Sequence, residues 1–232
     1  MRLGLLGDIH GNAAALEAAL AGVRRHAADH LVLTGDYVGY YYSPAQVLAL
    51  LEPWPRTMVR GNHEDMLARI MQEPSSAGAY TRKYGHGLEV ALRELSPVQL
   101  KDLTSLPERI LLEMDGLRIL VAHGSPWEPD AYLYPDAPPS SLERFAEIDA
   151  DIVVLGHTHY PMNRLVHGRT ILNPGSVGQP RDRRPGAAWA LFDTRDRRCA
   201  FFREPYDMAP VGDAAYQMDP GLPYLREVLL RS

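Results

Sequence analysis

A single cysteine among 232 residues, Cys199, leaves no partner for an internal disulfide. It sits in the strand-like run Cys-Ala-Phe-Phe, where a free thiol behaves as a small buried hydrophobe rather than a nucleophile. Long apolar runs are missing too, so no segment approaches the length of a membrane span. Asp8 and His10 interrupt the first apolar stretch early, which argues against a secretory leader and for a cytoplasmic protein. There is no excess of positive charge: 24 Lys and Arg stand against 29 Asp and Glu, a formal net charge of -5. That balance argues against a broad nucleic-acid or anionic-membrane surface. What remains is 46% hydrophobic and 23% charged, without fixed-period repeats or low-complexity tracts, and is ordinary for a globular protein.

The first strand signal is Leu3–Leu6, which runs into Gly7-Asp8-Ile9-His10-Gly11-Asn12. On an extended backbone, side chains two apart share a face, so Asp8 and His10 are expected to leave the strand end together and grip one cation. A strand-to-helix turn with a polar cap would look the same. Asn12 is the natural N-cap of a helix over Ala13–Arg25, and so close to Asp8 it is also a candidate substrate contact. The pattern recurs. A strand at His30–Leu33 ends in Thr34-Gly35-Asp36, and a helix follows over Ser43–Leu51. A third strand, Thr57–Val59, ends in Arg60-Gly61-Asn62-His63-Glu64 before a helix through Ile70.

The middle of the chain changes character. Gln72–Gly87 is rich in Ser, Gly and Tyr and is expected to be a loop or lid, followed by helices over Gly87–Leu95 and Pro97–Leu106. Asp115-Gly116 predicts a hairpin between Arg109–Met114 and Leu117–Ala122, the second strand running into His123. Asp151–Leu155 is a strand ending in Gly156-His157-Thr158-His159. Further hairpins are expected at Met162–Val166 with Arg169–Leu172, and at Ala187–Asp193 with Arg198–Arg203. The tail after Pro205 is broken by prolines and ends in a short amphipathic helix near Tyr224–Leu230. It either packs on its own chain or bridges a homo-oligomer. Parallel βα units followed by hairpins predict an α/β architecture, two mixed sheets packed face to face with helices outside. One domain over 1–232 is the simplest organisation, with a lid or insertion around 72–106.

Five apolar strands therefore end in polar clusters, and together these supply Asp8, His10, Asp36, Asn62, His63, His123, His157 and His159. Carboxylates, imidazoles and an amide oxygen without thiolates suit first-row divalent ions such as Mn, Fe or Zn. The groups suffice for two ions.

The ordered set D-x-H, G-D, G-N-H-E, H-G and G-H-T-H resembles the calcineurin-type metallophosphoesterase superfamily over roughly Met1–Phe202. The resemblance implies a β-sandwich flanked by helices. It assigns one metal to Asp8, His10, Asp36 and His159 and a second to Asn62, His123 and His157, with Asp36 bridging. His63 becomes the catalytic acid that protonates the leaving oxygen. The implied activity is two-metal hydrolysis of small phosphoesters or nucleotides, dinucleoside polyphosphates among them. The alternatives are a phosphoprotein Ser/Thr phosphatase, a nuclease or a non-catalytic scaffold. Val59–Glu64 is similar to protein phosphatases and bacterial diadenosine tetraphosphatases. Where those have Asp-Arg-Gly after Gly-Asp-x-Val, however, this chain has Gly39-Tyr40-Tyr41, so the jobs of orienting the histidine and gripping phosphate fall to other residues. The run from Asn173 to Arg181 looks like small bacterial phosphodiesterase relatives. For substrate binding, Tyr40–Tyr42 offers a stacking face for a base, and Arg60 and Arg181, with Arg183 and Arg184, offer guanidinium forks to phosphate.

Overall fold

The computed structural model describes residues 1–231. Period-two alternation places the central strands between two apolar layers. In β1 (Arg2–Leu6), Leu3 and Leu5 face one way, and Leu6 faces the other towards α1 (Ala13–Arg25). β1 pairs in parallel with β2 (His30–Leu33), which pairs in parallel with β3 (Arg56–Met58). The last hairpin, β9 (Ala187–Asp193) with β10 (Arg198–Glu204), returns antiparallel along the other side of β1. The first sheet thus has the order β10-β9-β1-β2-β3.

The second five-stranded sheet has the order β4-β5-β6-β8-β7, built from β4 (Arg109–Met114), β5 (Leu117–Ala122), β6 (Ile152–Val154), β7 (Pro161–Val166) and β8 (Arg169–Pro174). Its two hairpins turn at Asp115-Gly116 and His167-Gly168, each pair at positive φ as a tight two-residue turn requires. Between the sheets lie Leu3, Leu5, Val32, Ile119, Val121, Ile152, Val154 and Phe192. The outer face of the first sheet is covered by α1, α2 (Pro44–Leu51), α3 (Asn62–Gln72), α5 (Gly87–Glu94) and α6 (Pro97–Thr104). The outer face of the second is covered more thinly, by Leu142 and Phe145 of a 3-10 stretch over Pro139–Glu147. The expected α/β sandwich of two mixed sheets flanked by helices is the observed fold.

Two segments differ from expectation. Gln72–Gly87 is not a loop: a 3-10 turn at Pro74–Ser76 leads into α4 (Ala77–Tyr84). Its composition disfavours helix, but Ala77 and Tyr80 pack on the helical layer, and tertiary contact overrides propensity. The tail holds a second helix, α7 (Ala209–Met218), before α8 (Tyr224–Leu230), and Pro210 in its first turn does not obstruct it. Both tail helices pack on their own chain, against Tyr40, Tyr41 and Tyr84. No helix among the described residues is long and apolar enough to cross a membrane.

Cys199, opposite Phe192 in β10, packs against the layer between the sheets, and burial pushes its thiol up to about 12. At pH 8 it should react with a disulfide reagent such as dithiobis(nitrobenzoate) roughly 100-fold more slowly than in the urea-unfolded chain, because only the thiolate attacks. Equal rates in stopped-flow would contradict this placement.

Candidate metal centre

The parallel strands of both sheets end at one edge, and the polar turns after them converge there. They do not converge as extended strand tips. β1 has already ended at Leu6, and Asp8 and His10 sit at φ 52 and 53, in the left-handed region, as do Asp36, His157 and His159. The extended-strand argument for Asp8 and His10 is thus replaced by a turn. The two side chains come together because their backbone winds tightly against the β2 turn. Asp8 N–H donates to Gly35 O (3.0 Å), Ile9 and His10 N–H both donate to Asp36 O (2.8 and 2.9 Å), and Gly11 N–H to Tyr37 O (2.8 Å). Gly7 is needed for close approach: a Cβ there would stand 1.9 Å from Thr34 Oγ1.

Two groups of donor atoms result, each with all ligand atoms within 4.8 Å of one another: Asp8, His10, Asp36 and His159, and Asp36, His123 and His157. Asp36 belongs to both. Its Oδ2 lies 3.5 Å from His10 Nε2 and 3.4 Å from His123 Nε2, while Oδ1 accepts from His63 N–H at 2.9 Å. Asn62 adds Oδ1 to the second group, 3.0 Å from His123 Nε2 and 3.1 Å from His157 Nδ1.

Main-chain carbonyls set the imidazole tautomers. His10 Nδ1 faces Val38 O (3.2 Å), His159 Nδ1 faces Gln179 O (2.6 Å) and His123 Nδ1 faces Thr34 O (2.7 Å). A carbonyl only accepts, so each Nδ1 carries the hydrogen and each Nε2 presents a bare lone pair in the neutral ring. Yet His10 Nε2 and His159 Nε2 stand 3.1 Å apart, and His123 Nε2 is 3.1 Å from His157 Nδ1. The first of these pairs sets acceptor against acceptor inside the protein, where unpaired polar groups are costly. Protons relieve this only in part. Burial opposes charge on His123, but Asp36 and Asp8 outweigh it and push that imidazole up to about 10. Burial pushes Asp8 up to about 7 against the pull of His123. A divalent cation in each group would satisfy all these lone pairs at once, so the residues present fit metal ions.

A family model for the calcineurin-like phosphoesterase superfamily domain matches residues 1–197. The chain belongs to that superfamily. An uncharacterized protein of Methanocaldococcus jannaschii is 28% identical over 225 residues, covering 89% of this chain and 88% of the relative. The crystal structure of a metallophosphoesterase from Sphaerobacter thermophilus matches with a TM-score of 0.78 at 29% identity, over 99% of this chain and 98% of that one. A hypothetical protein from Pyrococcus horikoshii OT3 shares the fold at a TM-score of 0.85 and 22% identity, over 99% and 98% of the two chains.

Against this calcineurin-like frame, His63 lies beside the donor groups, 2% exposed, its ring edge-on to His10 (4.7 Å) and Tyr84 (5.2 Å). Its Nδ1 is buried with no hydrogen-bond partner and faces Gly39, where a Cβ would stand 2.0 Å away. Burial lowers this imidazole to about 4, with Asp36 pulling the other way. The space enclosed by His10, Asp36, Tyr40, Asn62, His63, Tyr84, Tyr132, His157, His159 and Arg181 is about 20 Å³. That is room for about one water.

The expected substrate contacts divide. Tyr40 and Arg181 line the cavity, and Arg181 Nη2 donates to the Tyr40 hydroxyl at 3.0 Å. Tyr41 and Tyr42 do not. Their hydroxyls are turned to the tail, on Leu225 O (2.9 Å) and Asp219 (2.6 Å). Arg60 is not in the lining either. Its guanidinium is taken by Asp65 (2.6 Å), Glu108 (2.6 Å) and Leu106 O (2.8 Å), tying the start of α3 to the segment between α6 and β4, so that each of its three nitrogens is already engaged. Asn12 also acts structurally. Its Oδ1 caps α1 through Ala15 N–H, and its Nδ2 donates to Gly178 O and the Tyr206 hydroxyl. Arg183 and Arg184 are exposed.

Sequence reasoning missed Tyr132, for which the Pro- and Tyr-rich loop held no signal, and placed no role on Tyr84 within its lid segment. It also left Glu64 without a role. That side chain is fully buried and accepts from the N–H of Asp36 (2.8 Å), Gly61 (2.9 Å), Tyr37 (2.8 Å) and Val38 (3.3 Å). Burial and the neighbouring Asp36 push its pKa up to about 8, while the main-chain donors pull it down. Its partner three residues ahead, Gly61, was visible as a helix start, and N3 of a helix is where a capping carboxylate belongs. Glu64→Ala strands buried N–H groups that each cost roughly 1–3 kcal/mol when unpaired. Urea unfolding should show a loss of about 3 kcal/mol or more, with Glu64→Gln in between; a change below about 1 kcal/mol would refute the brace.

Proposed function

We propose that this chain is a two-metal-dependent hydrolase of small phosphoesters or nucleotides. The observation that carries the reading is Asp36, which belongs to both groups of donor atoms, its Oδ2 3.5 Å from His10 Nε2 and 3.4 Å from His123 Nε2. Asp8, His10, Asp36 and His159 would hold one ion, and Asp36, Asn62, His123 and His157 the other, with Mn, Fe or Zn matching the nitrogen and oxygen donors. Bound there, such ions supply Lewis acidity, lowering the pKa of water and offsetting charge on a phosphoryl group.

The protein's own groups do the rest. Arg181 donates only to neutral acceptors, the Tyr40 hydroxyl and Gln179 Oε1, and has no carboxylate partner among the described residues. A guanidinium kept unneutralised on the wall of the cavity is poised for an anion, and its planar fork matches phosphoryl oxygens. It takes over the phosphate grip that Arg60 is too occupied to supply. His63 is the proton donor to the leaving oxygen. Its depressed pKa keeps it neutral at rest, and the negative charge of a bound phosphoester favours the imidazolium it needs to act as an acid. Gly39 leaves room for that ring.

Dialysed protein reloaded with Mn should carry two equivalents of metal by plasma mass spectrometry, and Asp36→Asn fewer than one. The loaded enzyme should release p-nitrophenol from p-nitrophenyl phosphate or its bis-ester. His63→Ala should lower kcat about 100-fold or more at unchanged metal content, and Gly39→Ala should do the same in part by displacing the ring. Arg181→Ala should raise KM about tenfold. No hydrolysis of either ester with Mn, Fe or Zn would sink the reading.

A further inference from the structure

Outside the donor groups, an aromatic strip begins on one of their members. The Tyr132 ring lies 4.2 Å from the His157 ring, closing one side of the cavity. Tyr134 is stacked on Tyr132 at 5.9 Å with only 20° between the planes, and Tyr160 meets Tyr134 edge-on at 5.6 Å. Tyrosine rings are normally buried for their apolar area, and these are not: Tyr132 is 55% exposed and Tyr134 39%. The pair contributes little to the core, whose buried side beneath this loop is made by Leu142, Phe145 and Met162. A near-parallel stack held open to solvent, with one end on the reacting centre, is a surface for another flat ring. We propose that Tyr132 and Tyr134 form a stacking platform for a planar aromatic group carried by the phosphoester, a nucleobase or an aryl ring, while the phosphoryl group faces the donor groups beside Arg181.

The proposal rests on the hydrolase reading and gives its substrate a chemical class. It moves the stacking face from Tyr40–Tyr42, two of whose hydroxyls are committed to the tail, to the other side of the centre. The cavity, about 20 Å³, has room for about one water, so the organic part of the substrate lies outside it, where the platform is.

The test uses phosphonates, whose carbon–phosphorus bond resists hydrolysis, titrated calorimetrically into the Mn-loaded full chain: an adenosine 5′-phosphonate, benzylphosphonate and ethylphosphonate. Stacking of this kind is worth roughly 5- to 150-fold in affinity, so both ring-bearing ligands, or the nucleoside alone, should bind about tenfold or more tighter than ethylphosphonate. A preference for the nucleoside phosphonate identifies the ring as a base, and equal binding identifies an aryl group. Tyr134→Ala, outside the cavity lining, should weaken the advantage while leaving ethylphosphonate affinity unchanged, the double variant Tyr132→Ala/Tyr134→Ala should erase the advantage, and Tyr132→Phe/Tyr134→Phe should keep it. The platform is overturned if ethylphosphonate binds as well as the ring-bearing ligands, if the advantage survives the alanine pair, or if a thymidine octamer outcompetes every phosphonate, which would make the strip a single-strand track. Failure of the hydrolase reading is separate. It shows as no p-nitrophenol release and as ethylphosphonate not binding at all.

Discussion

The carboxylate of Asp36 is the constraint on which the structure turns. It is buried, shared between two clusters of imidazole nitrogens, and fixed by the His63 main chain on one oxygen. Fixing it requires two neighbouring turns to be held against each other. Glu64 does this by accepting main-chain hydrogen bonds from both the β2 turn and the start of α3. The electrostatic consequence spreads outward: Asp36 helps raise His123 to about 10 and Glu64 to about 8. Negative charge is concentrated where lone pairs are already in excess. Such an arrangement is a poor choice for a stable core and a good one for holding cations.

Holding it also costs backbone energy. Asp8, His10, Asp36, Tyr40, His157 and His159 all adopt left-handed φ without being glycine. Each such residue costs of order 1 kcal/mol or more and persists only where its surroundings over-determine it. The surroundings do so through main-chain bonds between turns distant in sequence. Asp8 O accepts from Gly178 N–H and Ser176 Oγ, the Asp8 carboxylate accepts from His157 N–H, and Asn173 Nδ2 donates to Gly156 O. The segment from Asn173 to Gln179 therefore serves as a clamp over the ends of both sheets, and its Gln179 carbonyl sets the tautomer of His159.

Much of this was legible in the chain, for a physical reason. Strands alternate with period two and turns punish the wrong residue, so the β-elements, the Asp115-Gly116 and His167-Gly168 hairpins and the glycine-rich strand ends could all be read locally. That Asp8, His10, Asp36, Asn62, His63, His123, His157 and His159 lie at strand ends was equally readable, and parallel strands carry their ends to one edge. The illegible part is whatever depends on which distant group a side chain meets first. Arg60 looks like a phosphate ligand until Asp65 and Glu108 are seen to reach it. Tyr41 and Tyr42 look like neighbours of Tyr40 until the tail claims their hydroxyls. The helix over Ala77–Tyr84 was hidden because its stability comes from the layer beneath it rather than from its own residues.

The tail shows how far such substitution can go. α7 and α8 cover the segment Tyr40–Tyr42, and Asp219 draws Tyr42 and His86 together, its carboxylate 2.6 Å from each. Held from behind in this way, Tyr40 turns its ring to His10 and His63, at 4.5 and 4.8 Å, and its hydroxyl to Arg181. The guanidinium on this side of the cavity comes from position 181, far along the chain from Asp36, and the Tyr40 hydroxyl supports it. The charge on a cavity wall is set by what the fold brings there, so a motif missing from one stretch of the chain is no evidence that its chemistry is missing from the site.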